Sequence, residues 1–334
     1  MYRNKNFLLG IVLFLAGAGG AKAQQTIQFT QYIFNSLSVN PAYAGYKEEW
    51  FAQMALRKQW AGIEDAPNTG QISLDGVLDP ERKRMGLGLQ IGADKLGAQS
   101  TTSLYLNYAY RLQLNEEDTK RLSFGIGAGL SQYALDYSKL NPIDGGDQYA
   151  TQGESSNFVP DFRFGIYYYS PKWYAGASVL DLLANGTNGS ISSDELSQGA
   201  IKHKRHVYFQ TGMLFNLNPE IKLRPSLLAK EDFKGPTSVD LNTMLIFKER
   251  IWIGASYRTS AKLWEKKFED GLKISKASSI AGVAQLFISD AFRVGYSYDY
   301  SMNQLNDIES GSHEITLGLT LARRSYRLLS PRFF

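Results

Sequence analysis

The chain has 334 residues, with 36 Lys and Arg against 32 Asp and Glu and no cysteine. Such a near-balance argues against nucleic-acid binding, and the missing thiols exclude disulfides and thiolate metal sites. A mean hydropathy of −0.27 is too low for a bundle of membrane helices, yet 20 Tyr and 18 Phe are present, a combination that suits a membrane β-barrel because half of each strand faces its lumen.

Arg3 and Lys5 form a basic n-region, Phe7 to Ala18 is apolar, and Ala21-Lys22-Ala23 supplies an A-x-A cleavage site. The apolar run is shorter than a spanning helix requires, so residues 1–23 read as a signal peptide, with a retained anchor as the alternative. Export would leave Gln24 as the mature N-terminus. It would also remove three basic residues, leaving 33 Lys and Arg against 32 acidic residues. Residues 24–49 form an aromatic-rich leader containing Phe29, Tyr32, Phe34 and Tyr43. Its Asn40-Pro41 step disfavours helix at Asn40, and Gly45 permits a turn. Two roles stay open for it: a plug folded into or beneath a lumen, or a periplasmic docking peptide.

From Trp50 the pattern changes to short alternating segments. Strands are predicted near 50–60, 69–78, 84–93, 100–114, 121–137, 158–169, 172–182, 204–217, 220–230, 236–248, 250–259, 279–289, 292–300 and 312–322. Successive side chains of a strand point to opposite faces. Leu104, Leu106, Tyr108, Tyr110, Leu112 and Leu114 thus share one face, with Asn107, Arg111 and Gln113 opposite. Met85, Leu87, Leu89 and Ile91 alternate with Gly86, Gly88, Gln90 and Gly92. Tyr296, Tyr298 and Tyr300 alternate with Gly295, Ser297 and Asp299. A soluble double-sheet protein would turn Lys, Glu and Thr outward; here the consistent face is apolar. The pattern predicts an all-β, antiparallel outer-membrane β-barrel over 50–322, of about fourteen strands.

The connectors give the barrel a direction. Tight ones are expected at 79–83, 115–120, 170–171, 218–219, 248–249 and 289–291, and plainly longer ones at 138–157, 183–203, 260–278 and 301–311. Outer-membrane barrels have short periplasmic turns and longer outer loops, so both termini are expected in the periplasm. The tail 323–334, with Pro331, is expected to run past the last strand on that side.

Catalytic chemistry is sparse. The histidines are His203, His206 and His313, and neither a G-x-S-x-G elbow nor an H-E-x-x-H motif occurs. Ser312 and His313 are adjacent in a strand and point apart. The Gly125-Ile126-Gly127-Ala128-Gly129 run lies in a strand with no helix following, so it reads as close packing at the lumen wall rather than a phosphate loop. Asp144-Gly145-Gly146-Asp147 reads as a polar loop tip. No enzyme activity, metal or cofactor is expected. Alternation sends Arg57, Arg111, Asp161, Arg163, His206, Asp240, Arg258, Arg293, Asp299 and Glu314 inward. Such mixed signs suit bracing of the inner wall. An ion-lined pore or a socket for the leader are the functional alternatives.

The leader Gln28-Phe29-Thr30-Gln31-Tyr32 with Asn40-Pro41-Ala42-Tyr43-Ala44-Gly45 resembles the start of the PorP/SprF family. The resemblance continues through Arg57-Lys58-Gln59-Trp60, His206-Val207-Tyr208 with Gly212, and Pro225-Ser226 with Lys230. It extends to Trp252-Ile253-Gly254-Ala255-Ser256-Tyr257-Arg258, Gly295-Tyr296-Ser297-Tyr298-Asp299-Tyr300 and Ser312-His313-Glu314, covering nearly the whole mature chain. It implies an outer-membrane component of the type IX secretion system. The implied role is to help export or anchor large surface proteins, including gliding adhesins, by binding their C-terminal sorting domain. Implied partners are that cargo, periplasmic and outer-membrane secretion components, and outer-membrane lipid. A porin-like or hydrophobic-solute channel is the alternative function.

Overall fold

The computed structural model describes residues 29–139, 153–184, 205–233, 236–261 and 279–321. The expected signal peptide, the tail 323–334, Asp144 to Asp147, His203, and most of the loops 138–157, 183–203 and 260–278 lie outside these residues.

Fifteen strand segments form one sheet: β1 (Phe51–Lys58), β2 (Asn68–Val77), β3 (Met85–Leu96), β4 (Gln99–Gln113), β5 (Arg121–Asp136), β6 (Glu154–Tyr169), β7 (Trp173–Leu180), β8 (His206–Met213), β9 (Phe215–Asn216), β10 (Ile221–Glu231), β11 (Thr237–Phe247), β12 (Ile251–Ala261), β13 (Ser279–Phe287), β14 (Phe292–Ser301) and β15 (Ser312–Thr320). Segments β8 and β9 both pair with β10 in one register and are separated by Leu214 alone, so they make a single stave and the barrel has fourteen. Every neighbouring pair is antiparallel. Pairing of β10 with β11 and of β1 with β15, the latter from Phe51↔Thr320 to Lys58↔His313, leaves no free edge.

The faces follow the alternation. On β4, Leu104 and Leu106 are 49% and 53% exposed while Tyr105 and Asn107 between them are buried. Ile72, Ile126, Phe162 and Tyr296 are likewise exposed on the outer wall. Such a surface suits hydrocarbon rather than water, since lipid imposes no cost on exposed apolar side chains.

Tight connectors join β2–β3, β4–β5, β6–β7, β9–β10, β11–β12 and β13–β14 at one end, the turn end. β1 starts and β15 stops at that same end, where Leu321 N donates to Trp50 O and Thr320 N to Ala291 O. The opposite, loop end carries the remaining connectors. Two of these are short there as well: Gly97–Ala98 between β3 and β4, and the β10–β11 link.

Candidate functional site in the barrel lumen

Residues 29–46 lie inside the barrel, and all are buried except the half-buried Ser38 and Val39. The Asn40-Pro41 step breaks any continuous helix, and the segment folds as three 3-10 turns at Tyr32–Phe34, Ser36–Ser38 and Pro41–Tyr43. Asn40 is extended, as a residue before proline should be, and its Oδ1 accepts from Ala42 N at 2.9 Å to cap the third turn. Gly45 takes φ +73°, and a Cβ there would lie 2.8 Å from the Gly86 Cα.

The described part of the leader starts at a buried ion cluster near the loop end. Arg57 on β1 donates through Nη2 to Asp299 Oδ2 on β14 (2.6 Å) and through Nη1 to Glu314 Oε2 on β15 (3.1 Å). The two carboxylates then hold the leader. Glu314 accepts from Thr30 N at 2.8 Å and Gln31 N at 3.0 Å, and Thr30 Oγ1 donates to Asp299 while accepting from Arg57. Gln31 Nε2 donates to the Glu314 carbonyl, and its Oε1 accepts from Thr316 Oγ1. Residues expected to brace the wall thus also form a socket: backbone N–H groups of the leader complete the coordination of a carboxylate that a single arginine shares with another.

Deeper in the lumen, Tyr32, Ile33 and Phe34 pack on Leu180, Tyr208, Leu228, Met244, Ile246 and Trp252, with the Phe34 and Trp252 rings edge-on at 5.7 Å. Gln71 Nε2 donates to Ser38 Oγ, Ser178 Oγ to Val39 O, and Asn40 Nδ2 to Ile166 O. A side chain at Gly86, Gly125 or Gly165 would collide with Ala44, with Pro41–Ala42 or with Asn40 respectively. The glycine run at 125–129 therefore does pack closely at the lumen wall, and what Gly125 admits is the leader backbone. At the turn end Tyr43 and Tyr46 stack at 4.8 Å against Tyr167 and Tyr169. Glu48 closes the run by accepting from Lys83 Nζ (2.8 Å) and Arg111 Nη2 (3.2 Å).

The charged residues expected inward do point inward, but they form several clusters rather than one network. Arg57, Asp299 and Glu314 meet at the leader. Asp240 pairs with Arg258 at 2.6 Å and with Lys230 at 2.8 Å. Asp161 and Arg163 are 3.9 Å apart, with Arg163 lying over the Tyr105 ring. Arg111 joins Glu48 and Tyr169, His206 Nδ1 meets Asp181 at 2.9 Å, and Arg293 lies over the Phe51 ring. Sequence parity also contains members left out of the expected set, among them Asp75 on β2, Arg121 on β5, and Lys230 and Arg224, which share the inward face of β10 with Ser226 and Leu228. Glu48 escaped because it precedes the first strand. Ser312 and His313 do face opposite sides: Ser312 Oγ accepts from Trp60 N, while His313 Nδ1 meets the Tyr296 hydroxyl outside.

A sequence profile of the type IX secretion system membrane protein PorP/SprF matches residues 21–319, spanning both the leader and the barrel. The chain belongs to the PorP/SprF family. No curated protein matches it. Among solved structures it is similar to the CymD monoaromatic hydrocarbon channel, with TM-score 0.52 and 12% identity over 92% of this chain and 97% of that one. Weaker likenesses include the Ralstonia pickettii toluene transporter TbuX (TM-score 0.48, 8% identity, 86% and 92% covered) and a Pseudomonas aeruginosa FadL homologue (0.47, 11%, 91% and 96%). At 12% identity the likeness to CymD establishes a shared outer-membrane barrel fold. This PorP/SprF protein is therefore an outer-membrane barrel of the type IX secretion family, with a leader segment lodged in its lumen.

Proposed function

We propose that this PorP/SprF protein is a non-enzymatic, plugged barrel that helps export or anchor large surface proteins by binding their C-terminal sorting domain. The observation that supports it is the leader: residues 29–46 cross the lumen and hydrogen-bond to strands on several sides of the wall. A lumen occupied in this way suits an anchor better than a conduit. In this reading the short turns face the periplasm and the loops face outward. Both ends of the barrel wall, Phe51 and Leu321, then lie on the periplasmic side, and the cluster holding Thr30 lies toward the outside. The loops at 138–157, 183–203 and 260–278 are the cargo-binding candidates, and periplasmic secretion components would meet the turn end. Deleting those loops while keeping the barrel should leave the cargo unattached to the cell surface. Normal surface display in that mutant refutes the reading.

The second reading is a porin-like or hydrophobic-solute channel. The fold similarity to the CymD hydrocarbon channel favours it. It requires the leader to leave the lumen or to leave a path beside it, and conductance measurements separate the two readings.

A further inference from the structure

The outer face of the wall near the loop end carries a second built feature. His313 on β15, Lys58 on β1, Asn68 on β2, Lys95 on β3 and Ser100 on β4 are direct register partners, one row across five strands. Their chain neighbours Arg57, Thr69 and Ser312 are buried on the lumen side, so alternation turns this row outward. Lys58, Asn68 and Lys95 are exposed. The next outward row toward the turn end reads Ile315, Leu56, Gly70, Ala93, Thr102, and the one after it Leu317, Met54, Ile72, Ile91, Leu104.

In the middle row two small residues stand side by side, Gly70 opposite Ala93, beside the larger Leu56 and Ile315. The result is a groove of about 480 Å³ with an apolar floor and lysines on its rim. Lys58 and Lys95 flank Asn68, two strand spacings or about 10 Å apart. Asn68 Nδ2 is engaged with Ala66 O, and Asp94 turns inward to accept from Thr69 Oγ1. The Asp65 carbonyl accepts from Gly97 N, so the connector between β1 and β2 passes beside the β3–β4 turn at this rim. Lysines at a barrel rim carry their charge to the headgroup layer on flexible stems. A furrow directly beneath them, on a face that meets hydrocarbon, adds a place for a chain.

We propose that this groove binds an anionic, phosphate-bearing membrane lipid, with an acyl chain laid along Gly70 and Ala93 and the phosphate held between Lys58 and Lys95. The site lies on the outer wall and does not depend on whether the lumen anchors cargo or conducts solute.

The test is titration of the purified full chain in detergent with phosphatidylglycerol, read by native mass spectrometry. The double variant Lys58→Gln/Lys95→Gln should bind phosphatidylglycerol roughly thirtyfold more weakly, from the loss of two lysines near a lipid headgroup. Gly70→Leu, which fills the furrow, should also weaken binding. A Cβ at Gly70 meets only the Leu56 Cδ2, at an ordinary 3.4 Å, and Ala93→Leu serves if Gly70→Leu does not fold. Lys172→Gln, in an exposed turn at the other end, should change nothing. Equal binding by the double variant overturns the proposal, as does an equal loss with Lys172→Gln. Competition by inorganic phosphate as strong as by the lipid also overturns it, because the furrow would then contribute nothing.

Discussion

Replacing Arg57 with Met perturbs the leader site most sharply. The Arg57 side chain is 3% exposed, and its partners Asp299 and Glu314 are 5% and 0% exposed. The substitution keeps much of the volume and removes three hydrogen bonds, to Thr30, Asp299 and Glu314. It leaves two carboxylates buried beside each other without their shared cation. Breaking a buried pair from one side costs about 3–5 kcal/mol. Because Glu314 keeps its bonds from Thr30 N and Gln31 N, the lower end applies, and about 3 kcal/mol corresponds to a roughly hundredfold rise in the open population of the leader. The chain has no cysteine, so Ser36→Cys, at a 1% exposed and nearly isosteric position, gives a single reporter thiol. Its maleimide labelling should accelerate about a hundredfold on adding Arg57→Met. Further neutralising the carboxylates, with Asp299→Asn and Glu314→Gln, should restore much of the protection. Unchanged labelling in a barrel that still migrates as folded would refute the claim that this cluster holds the leader.

Other perturbations have different signatures. Gly125→Leu would drive a side chain into Pro41–Ala42, and the Ser36→Cys thiol should become reactive even with Arg57 intact. Phe34→Ala removes a ring packed on Trp252 in the buried cluster; about 3–5 kcal/mol should be lost from leader docking, seen as a lower urea midpoint for protection of the same thiol. Asn40→Ala deletes the cap of Ala42 N and the bond to Ile166 O, and should cost about 1–3 kcal/mol by the same measurement. On the lipid side, Leu106→Arg places a charge at a 53% exposed site; refolding into vesicles should lose about 2–4 kcal/mol if this position lies near the bilayer midplane.

The barrel was legible in the sequence because lipid writes a uniform code on one face: Leu104, Leu106, Ile126 and Ile315 all had to be apolar, so parity alone located the strands. Boundaries slipped where the wall leaves that regime. β6 begins at Glu154 rather than near 158, since Glu154 to Asn157 are polar and held by the backbone ladder opposite Asp136 to Tyr133 of β5. The β8–β9 stave lacks a ladder bridge at Leu214, where N–H instead donates to Lys172 O. The inward direction of Arg57, Asp299 and Glu314 was legible too, but their grouping was not. They meet because the first strand pairs with the last, and nothing local encodes that closure. The course of the leader was hidden for the same reason. Its 3-10 turns carry no periodicity, and its bed is assembled from Gly86, Gly125 and Gly165 on three different strands.

The account rests most heavily on a lumen occupied by the leader, and single-channel recording in planar bilayers tests that most directly. The full chain should give no steady conductance, whereas a variant lacking residues 29–46 should open stable steps. Steady conductance from the intact chain, equal to that of the deletion variant, would contradict the plugged barrel and favour the channel.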